Sequence, residues 1–175
     1  MKISPARVAA FDILIKIDSE QGYSSELLPL YESDLSERDR SLCHQLTLGV
    51  LRRQIYLDHI INQFVDGKRI DPAVRIVLRL GLFQILFLDK IPDHSAVNDS
   101  VNLVQRAKKT SAKGLVNAVL RRSAREPVEF RFQDDVERVS VQTSHPRWLI
   151  EKWISRFGAD DAEQLAAANN EVPKT

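Results

Sequence analysis

Between Arg106 and Arg125, inside the stretch QRAKKTSAKGLVNAVLRRSARE, lie seven basic side chains: Arg106, Lys108, Lys109, Lys113, Arg121, Arg122 and Arg125. No acidic residue occurs from Ser100 to Arg125. The whole chain balances 25 Lys and Arg against 24 Asp and Glu, so setting those seven aside leaves 18 basic against 24 acidic. Helix surfaces ordinarily mix both signs, because like charges four residues apart repel by about 0.2–0.5 kcal/mol. A run of one sign in a nearly neutral chain points to a polyanionic partner, held by Lys and Arg on phosphates. An ordinary solvated surface accounts for part of it: Arg106, Lys108 and Lys109 end a helix, where cations suit the negative end of the dipole. The stretch contains no aromatic ring, so it carries no platform for stacking unpaired bases. Phosphate contact with limited base readout is the chemistry these residues support, and RNA or DNA is the expected partner. No dimer or helix-turn-helix pattern points to readout of duplex DNA through a recognition helix.

Other reactive residue types are scattered. The six glycines stand singly along the chain, so no Gly-rich loop for phosphates, nucleotides or S-adenosylmethionine can be assembled locally. The one cysteine, Cys43, lies in an expected helix beside His44 and reads as a small buried thiol. His44, His59, His94 and His145 show no zinc-ligand spacing. The acid pair Asp134-Asp135 reads as solvated. The expectation is therefore no catalytic residue, no bound cofactor and no metal within this chain.

These residues need a scaffold, and the periodicity is helical almost throughout. Ser4-Pro5 predicts a helix start running to about Asp18, and Gly22 with Pro29 marks a short connecting helix. Ser36 to Asp39 reads as a capping box before a long helical region with Leu42, Leu46, Val50, Leu57, Ile61 and Phe64 in step. Gly49 and Arg52-Arg53 are candidate break points. Asp71-Pro72 opens a helix apolar nearly all round, which belongs in the middle of a bundle. Pro92 ends it, Asp93 opens the next, and Ser111 opens the one carrying Arg121, Arg122 and Arg125. On that helix Ala112, Leu115, Val116, Val119 and Leu120 share one side, and Lys113, Asn117, Arg121 and Arg125 the other. After Arg125 the composition turns acidic, with five acids and one Arg in residues 126–137. A further unit starts at SHPRWLIEKWISRFG, with Ser144-Pro146 opening a helix and Gly158 closing it. Its two tryptophans and Phe157 need something to pack on. The N-terminus reads as a mature helix and not a signal peptide, and no stretch suits a membrane span.

In that setting, IPDHSAVNDSVNLVQRAKKTSAKGLVNAVLRR resembles the C-terminal half of NusB-like RNA-binding domains. RVAAFDILIKI, LTLGVLRRQIYLDHII and IVLRLGLFQILFL match in order, so the resemblance covers about residues 4–125. The tail motifs SHPRWLIEKWISRFG and AANNEVPKT are similar to the segment that joins such a domain to the catalytic part of the Sun/Fmu rRNA cytosine-5 methyltransferases. Pro173 followed by Lys174 departs from a double proline common there. The resemblance implies an all-α, NusB-like helical bundle followed by a short helical extension. The expected divisions are 1–126 as the RNA-binding bundle, 127–143 as an acidic linker, and 144–175 as the start of the joining segment.

By the same resemblance, this is the front portion of a cytoplasmic S-adenosylmethionine-dependent enzyme acting on cytosine C5 in small-subunit rRNA. Its cofactor and its nucleophilic cysteine would lie beyond Thr175. Expected partners are rRNA, the catalytic portion of the same protein and a ribosomal protein, with no membrane. The RNA-binding residues expected are the seven basic side chains named at the outset. Two other readings stay open: a free-standing antitermination-type RNA-binding factor, and a structural domain whose basic face docks on acidic protein surface.

Overall fold

The computed structural model describes residues 3–65 and 69–171. Its elements are α1 (Pro5–Asp18), α2 (Ser24–Glu32), α3 (Glu37–Arg52), α4 (Gln54–Val65), α5 (Pro72–Phe87), α6 (Asp93–Arg106), a 3₁₀ turn at Thr110–Ala112, α7 (Lys113–Arg125), α8 (Asp135–Thr143), α9 (Arg147–Phe157) and α10 (Ala159–Ala168). The fold is all-α, with no strand among the described residues.

Local chemistry sets the helix starts. The Ser36 hydroxyl accepts the Asp39 N–H at 3.2 Å and donates to the Asp39 carboxylate at 2.9 Å, closing the first turn of α3. Asp71 accepts the Ala73 N–H at 2.9 Å ahead of Pro72. Ser4 sits at the N-cap of α1 without a side-chain cap bond, leaving Pro5 as the start signal. The long central region breaks at Arg53, between α3 and α4, and not at Gly49. Gly49 stays helical because the Phe83 ring packs against it: a Cβ there would lie 2.0 Å from that ring.

The apolar helix α5 lies in the middle as its pattern requires, packed on α1, α3, α4, α6 and α7. Val74, Ile76, Val77, Leu78, Leu80, Leu82 and Phe83 are all buried on it. Gly81 admits α7 closely, since a Cβ there would stand 2.5 Å from Leu120. Two polar side chains on α5, Arg79 and Gln84, are also buried, and both find partners inside. Arg79 grips Asp58 through two bonds of 2.9 and 2.7 Å. Gln84 donates to the Leu80 carbonyl at 2.8 Å and accepts Arg7 Nε–H at 2.6 Å. Arg7 also faces Asp99 at 3.2 Å. Burial lowers the Arg7 pKa and raises that of Asp99, and each partner's charge opposes the shift.

Residues 127–143, expected as a linker, divide in two. Val128 and Phe130 lie against the bundle core, and Asp135–Thr143 forms α8, which packs on α4 and on α9 and α10. The turn after α8 supplies the junction: Ser144, in the left-handed region at φ 57°, accepts the Ile55 N–H at 2.9 Å. A serine from the extension thereby caps the start of α4. Around α8–α10 gathers a small second core of Val139, Ile150 and Ala166, flanked by Val136, Trp153 and Ile154. The Pro173-Lys174 departure lies outside the described residues.

Candidate nucleic-acid interface

The expected division of α7 into two faces is present. Val116, Val119, Leu120 and Ser123 are buried, with Ala112 and Leu115 half-buried beside them. The other row carries Lys113 and Asn117, half-buried, and Arg121 and Arg125, exposed, and Arg121 Nε–H donates to Asn117 Oδ1 at 2.9 Å.

The seven basic residues separate into two groups. Three are engaged by acids: Arg106 with Asp12 through bonds of 2.7 and 2.8 Å, Lys109 with Asp71 at 2.6 Å, and Arg122 with Glu126 at 2.7 Å. The hydrogen bond from Lys109 is the main reason the Asp71 carboxyl falls below its ordinary range. The other four, Lys108, Lys113, Arg121 and Arg125, meet no acidic partner among the described residues. Lys108 projects from the turn after α6 at φ 59°. Acid pairing thus ties Arg106 and Lys109 to α1 and to the start of α5, while Arg121 and Arg125 are exposed and Lys113 is half-buried, none of the three with an acidic partner among the described residues. The engaged pairs are themselves part-exposed, and such pairs contribute only about 0–1 kcal/mol, so an anion can compete for them.

Beside the basic row lies a groove of about 710 Å³, bounded by His59, Gln63 and Phe64 of α4, Arg122 and Ser123 of α7, and residues 126–129 and Arg131 of the segment after it. The Arg122 guanidinium sits 5.4 Å over the Phe64 ring. His59 stacks on Phe130 at 5.7 Å and 17°, and Phe130 on Phe132 at 5.7 Å and 16°. The basic stretch has no aromatic of its own, but folding brings rings to it from α4 and from the segment after α7. The alternation Phe130-Arg131-Phe132, which puts two rings on one side of an extended chain, is the signal that could have revealed them. A second groove of about 970 Å³ at the first turns of α1, α3 and α6 mixes Arg38 and Lys90 with Asp39 and Asp89.

The remaining reactive types have structural places. Burial, with Glu32 nearby, pushes the Cys43 pKa up to about 11, so it stays a neutral thiol at neutral pH. Asp134 caps α8 by accepting the Glu137 N–H at 2.7 Å and pairs with Arg147 at 2.7 Å. His145 Nδ1 lies 2.8 Å from the Thr143 carbonyl, and His94 is exposed in the first turn of α6. Among the described residues no group of three or more metal-ligating side chains gathers, and no helix is long and apolar enough to cross a membrane.

Comparison with known proteins places this geometry. The probable ribosomal RNA small subunit methyltransferase B of Bacillus subtilis is 34% identical over 179 residues, a match covering 99% of this chain and 40% of that protein. Ribosomal RNA small subunit methyltransferase B of Pseudomonas putida is 38% identical over 169 residues, covering 95% of this chain and 38% of its own length. The chain therefore spans about two fifths of the curated relatives it matches. Among solved structures, that of PH0851 superposes over 99% of this chain with a TM-score of 0.74 at 16% identity, a likeness of fold alone. A chain from the crystal structure of a plectonemic RNA supercoil superposes over 67% of this chain and 90% of its own, with a TM-score of 0.62 at 25% identity. The family model for the NusB family matches residues 4–125, which run from the residue before α1 to the end of α7. The chain belongs to the NusB family.

Proposed function

We propose that this chain is the RNA-binding N-terminal region of a cytoplasmic small-subunit rRNA cytosine-5 methyltransferase, holding and positioning RNA without performing the chemistry. The observation that carries the reading is the row Lys113, Arg121 and Arg125 on α7 with Lys108 beside it, all without acidic partners among the described residues. Side chains of this kind give affinity through phosphate contact and fix the orientation of the RNA. The names of the relatives, and the share of their length that this chain covers, support the assignment to a methyltransferase.

S-adenosylmethionine, the methyl donor such an enzyme needs, finds no Gly-rich cradle among the described residues. Gly49 and Gly81 are taken up by helix packing against Phe83 and Leu120, and the remaining described glycines stand apart. Among the described residues the glycines form no loop that could cradle the cofactor, and the reading assigns its site and the nucleophilic cysteine to the catalytic portion of the parent protein. The catalytic portion is then the natural protein partner. No residue here is assigned to a ribosomal protein.

The test is RNA binding across a salt series, for the chain and for a Lys113→Glu, Arg121→Glu, Arg125→Glu variant. Affinity of the native chain should fall with salt, with a logarithmic slope of about −0.7 to −0.9 per phosphate contact. The variant should bind weakly with a flatter slope and keep its helical circular dichroism. Equal, feeble binding by both would overturn the reading.

A further inference from the structure

Resting on that RNA-binding reading, we propose that the groove between α4, the last turn of α7 and the segment after it receives one unstacked nucleobase of the bound RNA. Its position comes first. Arg122, which lines the groove, is three residues from Arg125 and neighbours it on the helix surface, while Ser123 lies on the buried side of α7 at the groove's inner wall. Arg121 and Arg125 are one helical turn apart, about 6 Å along the axis, so a strand whose phosphates follow them runs beside Arg122 at the groove's edge.

The walls suit a base. The volume of about 710 Å³ is that of an ordinary small-ligand site. Phe64 and the Arg122 guanidinium already stack on each other at 5.4 Å, and bases stack on aromatic rings and on guanidinium planes alike. His59 is held in orientation by Phe130 and Phe132, at 5.7 and 5.6 Å.

Two residues that line the groove, His59 and Ser123, each carry a buried polar atom without a partner. His59 Nε2 and Ser123 Oγ are both buried without a hydrogen-bond partner, and Ser123 as a residue is only 7% exposed. A buried donor or acceptor left unmade costs stability, and native structures rarely leave one so. Two on residues that line one groove are explained by a ligand that brings hydrogen-bonding edges of its own. The charge decides what kind of ligand. Arg122 and Arg131 are matched by Glu126 and Glu129, so the groove attracts no net anion. A phosphate is better served on α7, and a neutral base is better served here, where carboxylates can accept from ring amines.

The test uses two RNA hairpins with the same stem, one fully paired and one with a single extrahelical nucleotide, titrated by fluorescence anisotropy. The native chain should bind the bulged hairpin tighter by about fivefold or more, the order of one stacked base. Ser123→Ala removes a hydroxyl that has no partner, so its melting temperature should hold or rise while most of the preference disappears. The His59 ring resonances should shift with the bulged hairpin and not with the paired one. Salt-dependent binding of both hairpins with equal affinity would overturn the groove and leave the RNA-binding reading intact. A preference untouched by Ser123→Ala with unmoved His59 resonances would also overturn it. Binding of neither hairpin would bring down both.

Discussion

In the bundle, α5 buries ten residues from Val74 to Gln84; in the extension, α9 buries Ile150 and leaves Trp148 64% exposed. The bundle core is one continuous cluster reaching from α1 to α7, whereas the second core contains three buried residues, Val139, Ile150 and Ala166. Around that small core the extension adds charge. Arg138 binds Glu163 through two bonds of 2.8 Å, and Arg147 joins Asp134 to Glu151. Trp148, Phe157 and Leu165 remain exposed. A core so small stabilises little by itself, so the extension depends on its attachment to α4 more than the larger bundle core depends on it. The basic row is carried by the part with the large core, while one wall of the adjoining groove comes from the segment that leads into the part with the small one.

The sharpest way to break this contrast is to make the same kind of cavity in each core. Leu80→Ala on α5 should destabilise the bundle by about 2–5 kcal/mol in urea denaturation, the usual cost at a fully buried leucine. Ile150→Ala should leave the bundle's transition nearly in place and speed proteolytic cleavage within α8–α10. Equal losses of global stability would mean that the two cores fold as one unit.

A smaller effect tests the junction. Ser144→Ala removes the hydroxyl that accepts the Ile55 N–H, a cap supplied from 89 residues away. Loss of a cap costs about 1 kcal/mol, and amide exchange at Ile55 and Tyr56 should accelerate while amides within α5 are unaffected. Unchanged exchange at Ile55 would show that the extension does not hold the start of α4.

Much of the bundle was legible because its signals are local. Ser36, Asp71-Pro72 and the apolar run of α5 specify their own elements, and the two faces of α7 follow from spacing alone. The candidate interface was legible only as a list of cations. Which of them stay available depends on Asp12 and Asp71, acids far away in sequence that meet Arg106 and Lys109 through tertiary packing. The same holds for the aromatic wall, since Phe64 reaches Arg122 across 58 residues that no periodicity links. Residues 127–143 read as linker because their acids dominate the composition. Yet Asp134 caps α8 and Val139 and Val141 are buried, a short amphipathic helix that the charge count conceals.

The smallest expected effect concerns acid: in the extension Asp134 and Glu163 are both shifted down, whereas in the bundle the downward shift of Asp71 is opposed by the upward shift of Asp99. The hydrogen bond from Arg147 holds the Asp134 carboxyl below its ordinary range, and the bond from Arg138 does the same for Glu163. A depressed carboxyl pKa stabilises the folded state fully above the unfolded value and loses that contribution as pH falls through the folded one. Asp99, inside the bundle, is shifted upward by burial, so its protonation in acid lifts a cost and favours the fold. Lowering the pH through the carboxylate range should therefore loosen the extension before the bundle. Both tryptophans of the chain, Trp148 and Trp153, lie on α9, so their emission reports on the extension, while circular dichroism is dominated by the larger bundle. The emission change should come at higher pH than the loss of helix. Glu163→Gln should shift it further upward and make it shallower, because one of the two titrating pairs is gone. Coincident transitions would mean that the ion pairs around α8 do not limit the extension, and that its grip on α4 does.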